Sequence, residues 1–156
     1  MRFVIQRVDH ATVTIHPENG PSYVKGSIEK GFLVLIGVTG SDTRAIADAM
    51  IKKLLGLRIF PDENDKTNLD LKTVDGQLLL ISQFTLYADC RKGNRPSFTD
   101  AAEPVLAREL YDYITEKCAE QVPHVDTGSF GEHMTVDLQN NGPFTIVLDS
   151  DDIRIS

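Results

Sequence analysis

The sequence predicts an α+β fold, a largely antiparallel, barrel-like sheet covered by two main helices. Three observations carry that expectation. Seven short stretches are apolar or alternate apolar with polar residues, as strands do. Only two stretches space their apolar residues as a helix does. The order is a strand cluster, a helix, a strand, a helix and a second strand cluster, which does not alternate as a doubly wound βαβ chain would. A length of 156 residues fits one domain, residues 1–156, around one core.

RFVIQRV (2–8) and TVTI (12–15) alternate and open the sheet; ENGPS (18–22) is a turn, and YVKGSI (23–28) and FLVLIGV (32–38) follow. In SDTRAIADAMIKKLLGL, Ile46, Ala49, Met50, Leu54 and Leu57 fall at helical spacing after Ser41 or Asp42 as cap, which predicts a helix near 43–57. PDENDKTNLD (61–70) is a polar loop, QLLLISQF (77–84) a strand, and ADCRKGNRPSFTD (88–100) a second polar loop. The second helix starts after Thr99 or Asp100. It carries Val105, Leu106, Leu110, Tyr113, Ile114 and Cys118 on one stripe, with Pro104 in the first turn and Pro123 past the end. MTVDLQ (134–139) and FTIVLD (144–149) complete the strands, and no repeat or interdomain linker interrupts them.

Composition excludes several classes. No apolar run reaches the ~18 residues a spanning helix needs, so no membrane partner is expected. The alternating N-terminus lacks the apolar core of an export signal, and Cys90 and Cys118 form neither a CxxC nor a disulfide framework. A reducing cytoplasm is the expected setting. The formal charge of −7 argues against a protein that coats long stretches of DNA, while leaving room for a small footprint on one nucleic-acid terminus. His10, His16, His124 and His133 are scattered outside any metal-binding frame, and neither GxSxG nor GxxxxGK[ST] occurs. No metal and no cofactor are expected.

Two stretches do not fit a bland reading. In ISQFTLYA (81–88), Ser82, Gln83 and Thr85 interrupt a run that would otherwise pack into an interior. NNGPFTIV (140–147) places Gly142-Pro143 before a strand, either as an ordinary turn or as a cis bond aiming its carbonyls one way. Beside the first stretch, Arg91, Lys92 and Arg95 concentrate positive charge in an acidic chain. That loop reads either as solvated surface or as a phosphate contact.

SQFTL (82–86) and NNGPFT (140–145), together with QRV (6–8), RPSF (95–98) and TGSFGEHM (127–134), resemble the D-aminoacyl-tRNA deacylases, the D-tyrosyl-tRNA(Tyr) deacylase family, over nearly the whole chain. Departures are Phe144 where the family commonly has Val, TGSF for TGRF, a longer HPENGPSYVKGSIEKG segment and the tail SDDIRIS. The resemblance implies a metal-independent hydrolase acting on the ester between a D-amino acid, or glycine mischarged on tRNA for alanine, and the 3′-terminal adenosine. It implies a homodimer in which the Gly142-Pro143 element of one subunit completes the pocket of the other, with Arg7 holding that element. Aminoacyl-tRNA would be the partner, and no DNA.

Within that frame, the N–H groups of Phe84 and Thr85 are the candidate oxyanion donors. The Thr85 hydroxyl is the less favoured nucleophile, because no base adjoins it in sequence. The substrate's 2′-OH would help position or activate water. Ser82 and Gln83 would line the pocket, Gln83 as an amide for the nucleotide. Phe130 either stacks on adenine or packs, and Met134 lines the pocket or fills the core. A wall at Gly142-Pro143 would exclude L side chains and pass glycine, which has no Cβ.

Overall fold

A computed structural model describes residues 1–154. A six-stranded sheet dominates, built from β1 (Arg2–Ile15), β2 (Tyr23–Ile28), β3 (Gly31–Gly37), β6 (Gln77–Ser82), β7 (Val125–Thr127) and β8 (Met134–Asp149). Between them lie helix α1 (Arg44–Gly56), a small hairpin of β4 (Phe60–Pro61) and β5 (Thr67–Leu69), and helix α2 (Pro104–Ala119). Strand β8 runs antiparallel along one edge of β1 for its whole length, while β3 and β2 share the other edge in succession. β6 joins β3 in parallel and β7 joins β6 in parallel, because a helix lies in each of those connections. β7 then meets β2 through side chains, Asp126 Oδ2 accepting from the Ser27 N–H at 2.7 Å, and the sheet nearly closes.

Both faces of the sheet are covered, which explains the near-continuous apolar runs of β3 and β6. Phe32, Val34 and Ile36 face a core shared with both helices, with Leu78 and Leu80 beside them; Leu33, Leu79 and Ile81 face a smaller one inside the curl. β1 serves both. Phe3 and Ile5 enter the first core, and Val8, Ala11, Val13 and Ile15 enter the second. Register shifts between Gln6 and Val8 and between Val8 and His10 reset the alternation, so two short strands read from the sequence are one long bulged strand. The stretches 134–139 and 144–149 likewise merge into β8.

Other expectations are corrected in detail. Thr43, not Ser41 or Asp42, caps α1, its Oγ1 accepting from the Ile46 N–H at 3.3 Å; Asp42 is buried and accepts from the Thr39 N–H. α2 starts at Pro104 rather than after Asp100, Pro fitting the first helical position where no N–H is needed. Its buried stripe is Ala107, Leu110, Tyr111, Ile114 and Cys118. Val105 is 83% exposed, and Tyr111 displaces Tyr113 because its hydroxyl reaches the Leu80 carbonyl at 2.7 Å.

Candidate active site

At the carboxyl end of the parallel pair β3 and β6 the chain leaves the sheet. Ser82 ends β6, and Phe84–Tyr87 form a 3₁₀ turn instead of the strand continuation the sequence suggests. Gly37 makes this possible: a Cβ there would lie 2.9 Å from the Leu86 Cβ and 3.3 Å from the Gln83 carbonyl oxygen. The Gln83 N–H donates to the Ile36 carbonyl at 2.8 Å, and the Tyr87 ring is buried beneath the turn. From β1, Arg2 donates to the Leu86 carbonyl at 3.0 Å and its guanidinium covers the Tyr87 ring at 4.5 Å. Burial raises the Tyr87 phenol pKa well above its usual value, so it stays neutral.

The turn borders a cleft of about 700 Å³, within the ~300–1,000 Å³ usual for small-ligand sites. Ser82, Gln83 and Phe84 line it on one side and Phe130 and Met134 on another, so five of the expected site residues converge. The polar residues of ISQFTLYA are therefore not lost core positions; the chain is turning out of the sheet there. Phe84 is 56% exposed and meets Phe98 edge-on, centroids 5.1 Å apart. As the leading residues of the turn, Phe84 and Thr85 have no intrahelical acceptor for their N–H groups, and none is bonded to either among the described residues.

Thr85 is exposed and is not part of the cleft lining; its hydroxyl accepts a short hydrogen bond from the Gln83 amide, and no basic side chain is bonded to it among the described residues. Phe130 lies 6.1 Å from the Tyr111 ring and under the Arg108 guanidinium. Burial pushes the Tyr111 hydroxyl up to about 12, against the hydrogen bonds it shares. Met134 Sδ accepts from the Ser129 N–H at 3.4 Å and occupies the space a Cβ on Gly128 would need.

Phe98, Ala101, Ala102, Glu103, Pro104 and His133 also line the cleft. Phe98 and His133 had a signal in RPSF and TGSFGEHM; the others had none, because only the fold carries the start of α2 to the end of β6. Among the described residues no cluster of three or more His, Cys, Asp or Glu side chains could hold a metal, and no helix is long and apolar enough to cross a membrane. A larger groove of about 960 Å³ runs between α1 and Val147–Arg154, and it contains none of the expected site residues.

Gly142-Pro143 stands apart. Its peptide is cis, with Gly142 at φ +134°. Arg7 holds this bend, Nε donating to the Asn141 carbonyl at 3.0 Å and Nη1 to the Ile59 carbonyl at 2.6 Å, while its guanidinium stacks over Phe144 at 4.6 Å. Asn140 Oδ1 accepts from the Phe144 N–H and Asn141 Nδ2 donates to Asp9. Arg7 is five β1 residues from Arg2, which touches the turn, so roughly 17 Å of strand separates the two arginines that hold these segments.

A model of the D-Tyr-tRNA(Tyr) deacylase family matches residues 4–149. The chain belongs to that family. It is 53% identical over 150 residues to a D-aminoacyl-tRNA deacylase of Clostridioides difficile, covering 96% of this chain and 97% of that protein. The figure is 48% over 151 residues for the D-aminoacyl-tRNA deacylase of Thermosipho melanesiensis, with the same coverage. Among solved structures, a c-Myc DNA unwinding element binding protein superposes with a TM-score of 0.86 at 34% identity, over 96% of this chain and 98% of that one. A probable eukaryotic D-amino acid tRNA deacylase, at 18% identity, shares the fold with a TM-score of 0.77 over 94% and 97%. For a deacylase of this family, the cleft at Ser82–Phe84, bordered by the turn that carries Thr85, is the candidate active site.

Proposed function

We propose that this deacylase is a cytoplasmic homodimer that proofreads charged tRNA, hydrolysing D-aminoacyl and mischarged glycyl esters at the 3′-terminal adenosine and leaving L-aminoacyl-tRNA intact. The observation that carries the reading is a turn with two unspent N–H groups, Phe84 and Thr85, at the edge of a cleft sized for an aminoacyl-adenosine. Water adds to the ester carbonyl, those N–H groups donate to the developing oxyanion, and the C–O bond to the ribose breaks as the 3′ oxygen takes up a proton. The substrate's 2′-OH positions or activates the water. Gln83 offers its amide to the nucleotide, Ser82 borders the ester, and Phe130 and Met134 give an apolar wall for adenine.

Chirality requires something that rejects an L side chain, since both enantiomers present the same groups. The Gly142-Pro143 bend, held by Arg7, is the proposed wall. Because the arginines that hold the bend and the turn stand about 17 Å apart along β1 and the bend lines no part of the cleft in its own chain, it would enter the cleft of a second copy. Glycine, having no Cβ, would pass it.

A second reading, nucleic-acid binding without turnover, is favoured by the name of the DNA-element binding relative and opposed by the net charge of −7. Single-turnover deacylation of D-Tyr-tRNA, L-Tyr-tRNA and Gly-tRNA by chelator-treated protein separates the two. Release from the D and glycyl substrates alone is the expected result. No release from any substrate would sink the deacylase reading, and equal release from D and L would sink the wall.

A further inference from the structure

The cleft has an electrostatic difficulty if it takes a tRNA end, the reading on which this section rests. Its lining includes Glu103 and Glu132 but no Lys or Arg. In a chain of net charge −7, a phosphate backbone approaching that mouth is repelled unless positive charge stands beside it. Arg108, over the Phe130 ring, supplies one such charge on the α2 side, and the loop between Asp89 and Ser97 supplies a cluster of them. Its base is clamped by two backbone bonds, the Asp89 N–H to the Ser97 carbonyl at 2.7 Å and the Ser97 N–H to the Asp89 carbonyl at 2.9 Å. Phe98 follows the clamp immediately and packs against Phe84, and both rings line the cleft. The loop is thereby fixed at the cleft mouth. With four residues on each side of its tip, it reaches at most about 14 Å from its base.

Its three cations differ in what they already hold. Arg91 grips Asp89 with both ends of its fork, Nε to Oδ1 at 2.9 Å and Nη2 to Oδ2 at 2.7 Å, and those hydrogen bonds lower the Asp89 carboxyl to about 2. Lys92 and Arg95 are exposed and have no hydrogen bond or ion pair among the described residues. No acid lies between Cys90 and Thr99 to neutralise them. We infer that Lys92 and Arg95 bind backbone phosphates of the last few nucleotides of the tRNA 3′ strand, just outside the cleft, on a loop whose shape the Arg91–Asp89 pair sets. Such contacts fix register and carry no base information. They deliver the ester to the turn irrespective of the amino acid attached.

The test is equilibrium binding of uncharged tRNA across a salt series by the protein and its Lys92→Gln/Arg95→Gln variant, with single-turnover deacylation of D-Tyr-tRNA and of D-tyrosyl-adenosine alongside. Two lost single-strand contacts should weaken binding about tenfold at 0.1 M salt and flatten the log–log salt slope by about 1.4. Hydrolysis of D-tyrosyl-adenosine, which has no phosphate chain, should be unchanged, and Lys92→Arg/Arg95→Lys should retain tRNA binding. Unaltered affinity and slope would overturn the assignment. So would an equal loss on the nucleoside ester, which would mean the loop merely supports Phe98 and Phe84. Loop-dependent tRNA binding with hydrolysis of neither ester would uphold the assignment and remove the deacylase reading instead.

Discussion

Strand β1 holds both distinctive segments of this chain with an arginine, and the two differ in what lies beneath them. Arg2 reaches the Leu86 carbonyl in the Phe84–Tyr87 turn; Arg7 reaches the Asn141 carbonyl in the Gly142-Pro143 bend. The turn sits directly on the core, over buried Tyr87 and against Gly37, with N–H groups left free. The bend is exposed and is fixed by side-chain hydrogen bonds from Arg7, Asn140 and Asn141. Rigidity by packing suits a group that must stabilise charge without reorganising. Rigidity by a polar network suits a surface that, in the proposed homodimer, would project into the second subunit.

If packing sets the turn, the largest effect comes from disturbing it. Gly37→Val would drive a Cβ into Leu86 and the Gln83 carbonyl and displace the turn by a fraction of an ångström. We expect deacylation to fall by up to about 10²-fold and stability by ~1–3 kcal/mol, read by single-turnover kinetics and urea melts. A folded Gly37→Val protein with full activity would show that the turn's placement is not what the chemistry needs.

The next prediction asks whether the two segments act in one site. Arg7→Ala frees the bend and leaves the turn untouched, and alone should cost roughly tenfold or more in activity. Mixing denatured Gly37→Val and Arg7→Ala chains and refolding them together should then restore activity to about a quarter of the sites, because in the proposed homodimer half of the pairs would be mixed and each would hold one site with both segments intact. If mixing restores nothing beyond the average of the two variants, the bend and the turn do not share a site.

The turn was visible in the sequence as an anomaly and invisible as a geometry. Polar residues in ISQFTLYA marked the place, yet nothing local ended the strand at Ser82, since the cause is the close approach allowed by Gly37 from another strand. The same holds for β1 and β8, each read as two strands because a bulge or a bend breaks alternation without breaking pairing. The helices were legible from spacing, but the α2 stripe rotated toward Tyr111, whose hydroxyl finds a carbonyl on β6. Gln83 stood out as a polar break in an apolar run, whereas the roles of Phe84, Phe130 and Met134 came from motif resemblance. Their convergence, and the presence of Phe98 and Pro104 beside them, depends on parallel strands that pattern alone does not pair.

A smaller effect is expected from Thr85→Ala, because the hydroxyl's only bond among the described residues is to Gln83. Losing it should loosen the Gln83 amide and reduce deacylation by less than about tenfold, leaving the Thr85 N–H in place. Loss of all single-turnover hydrolysis in a folded dimer would make the hydroxyl the nucleophile.

The smallest effect concerns pH at the Arg2 end of β1. Asp149 accepts from Arg2 Nε at 2.6 Å. Burial pushes its carboxyl up, but the hydrogen bonds from Arg2 and from the Asp151 N–H outweigh that, and its pKa lies below the usual 3.8. A group depressed in the folded state stabilises above its unfolded pKa and loses that contribution as pH falls through the folded value. The Arg2 side chain is 39% exposed, so solvent screens the pair. Asp149→Asn should therefore lower the melting temperature at pH 7 by no more than about 4 °C, and the gap should close as acid protonates Asp149 in the parent protein. A gap that persists at low pH would mean Asp149 acts through packing. Arg2 would then be held on the turn by Leu86 and Tyr87 rather than by its carboxylate partner.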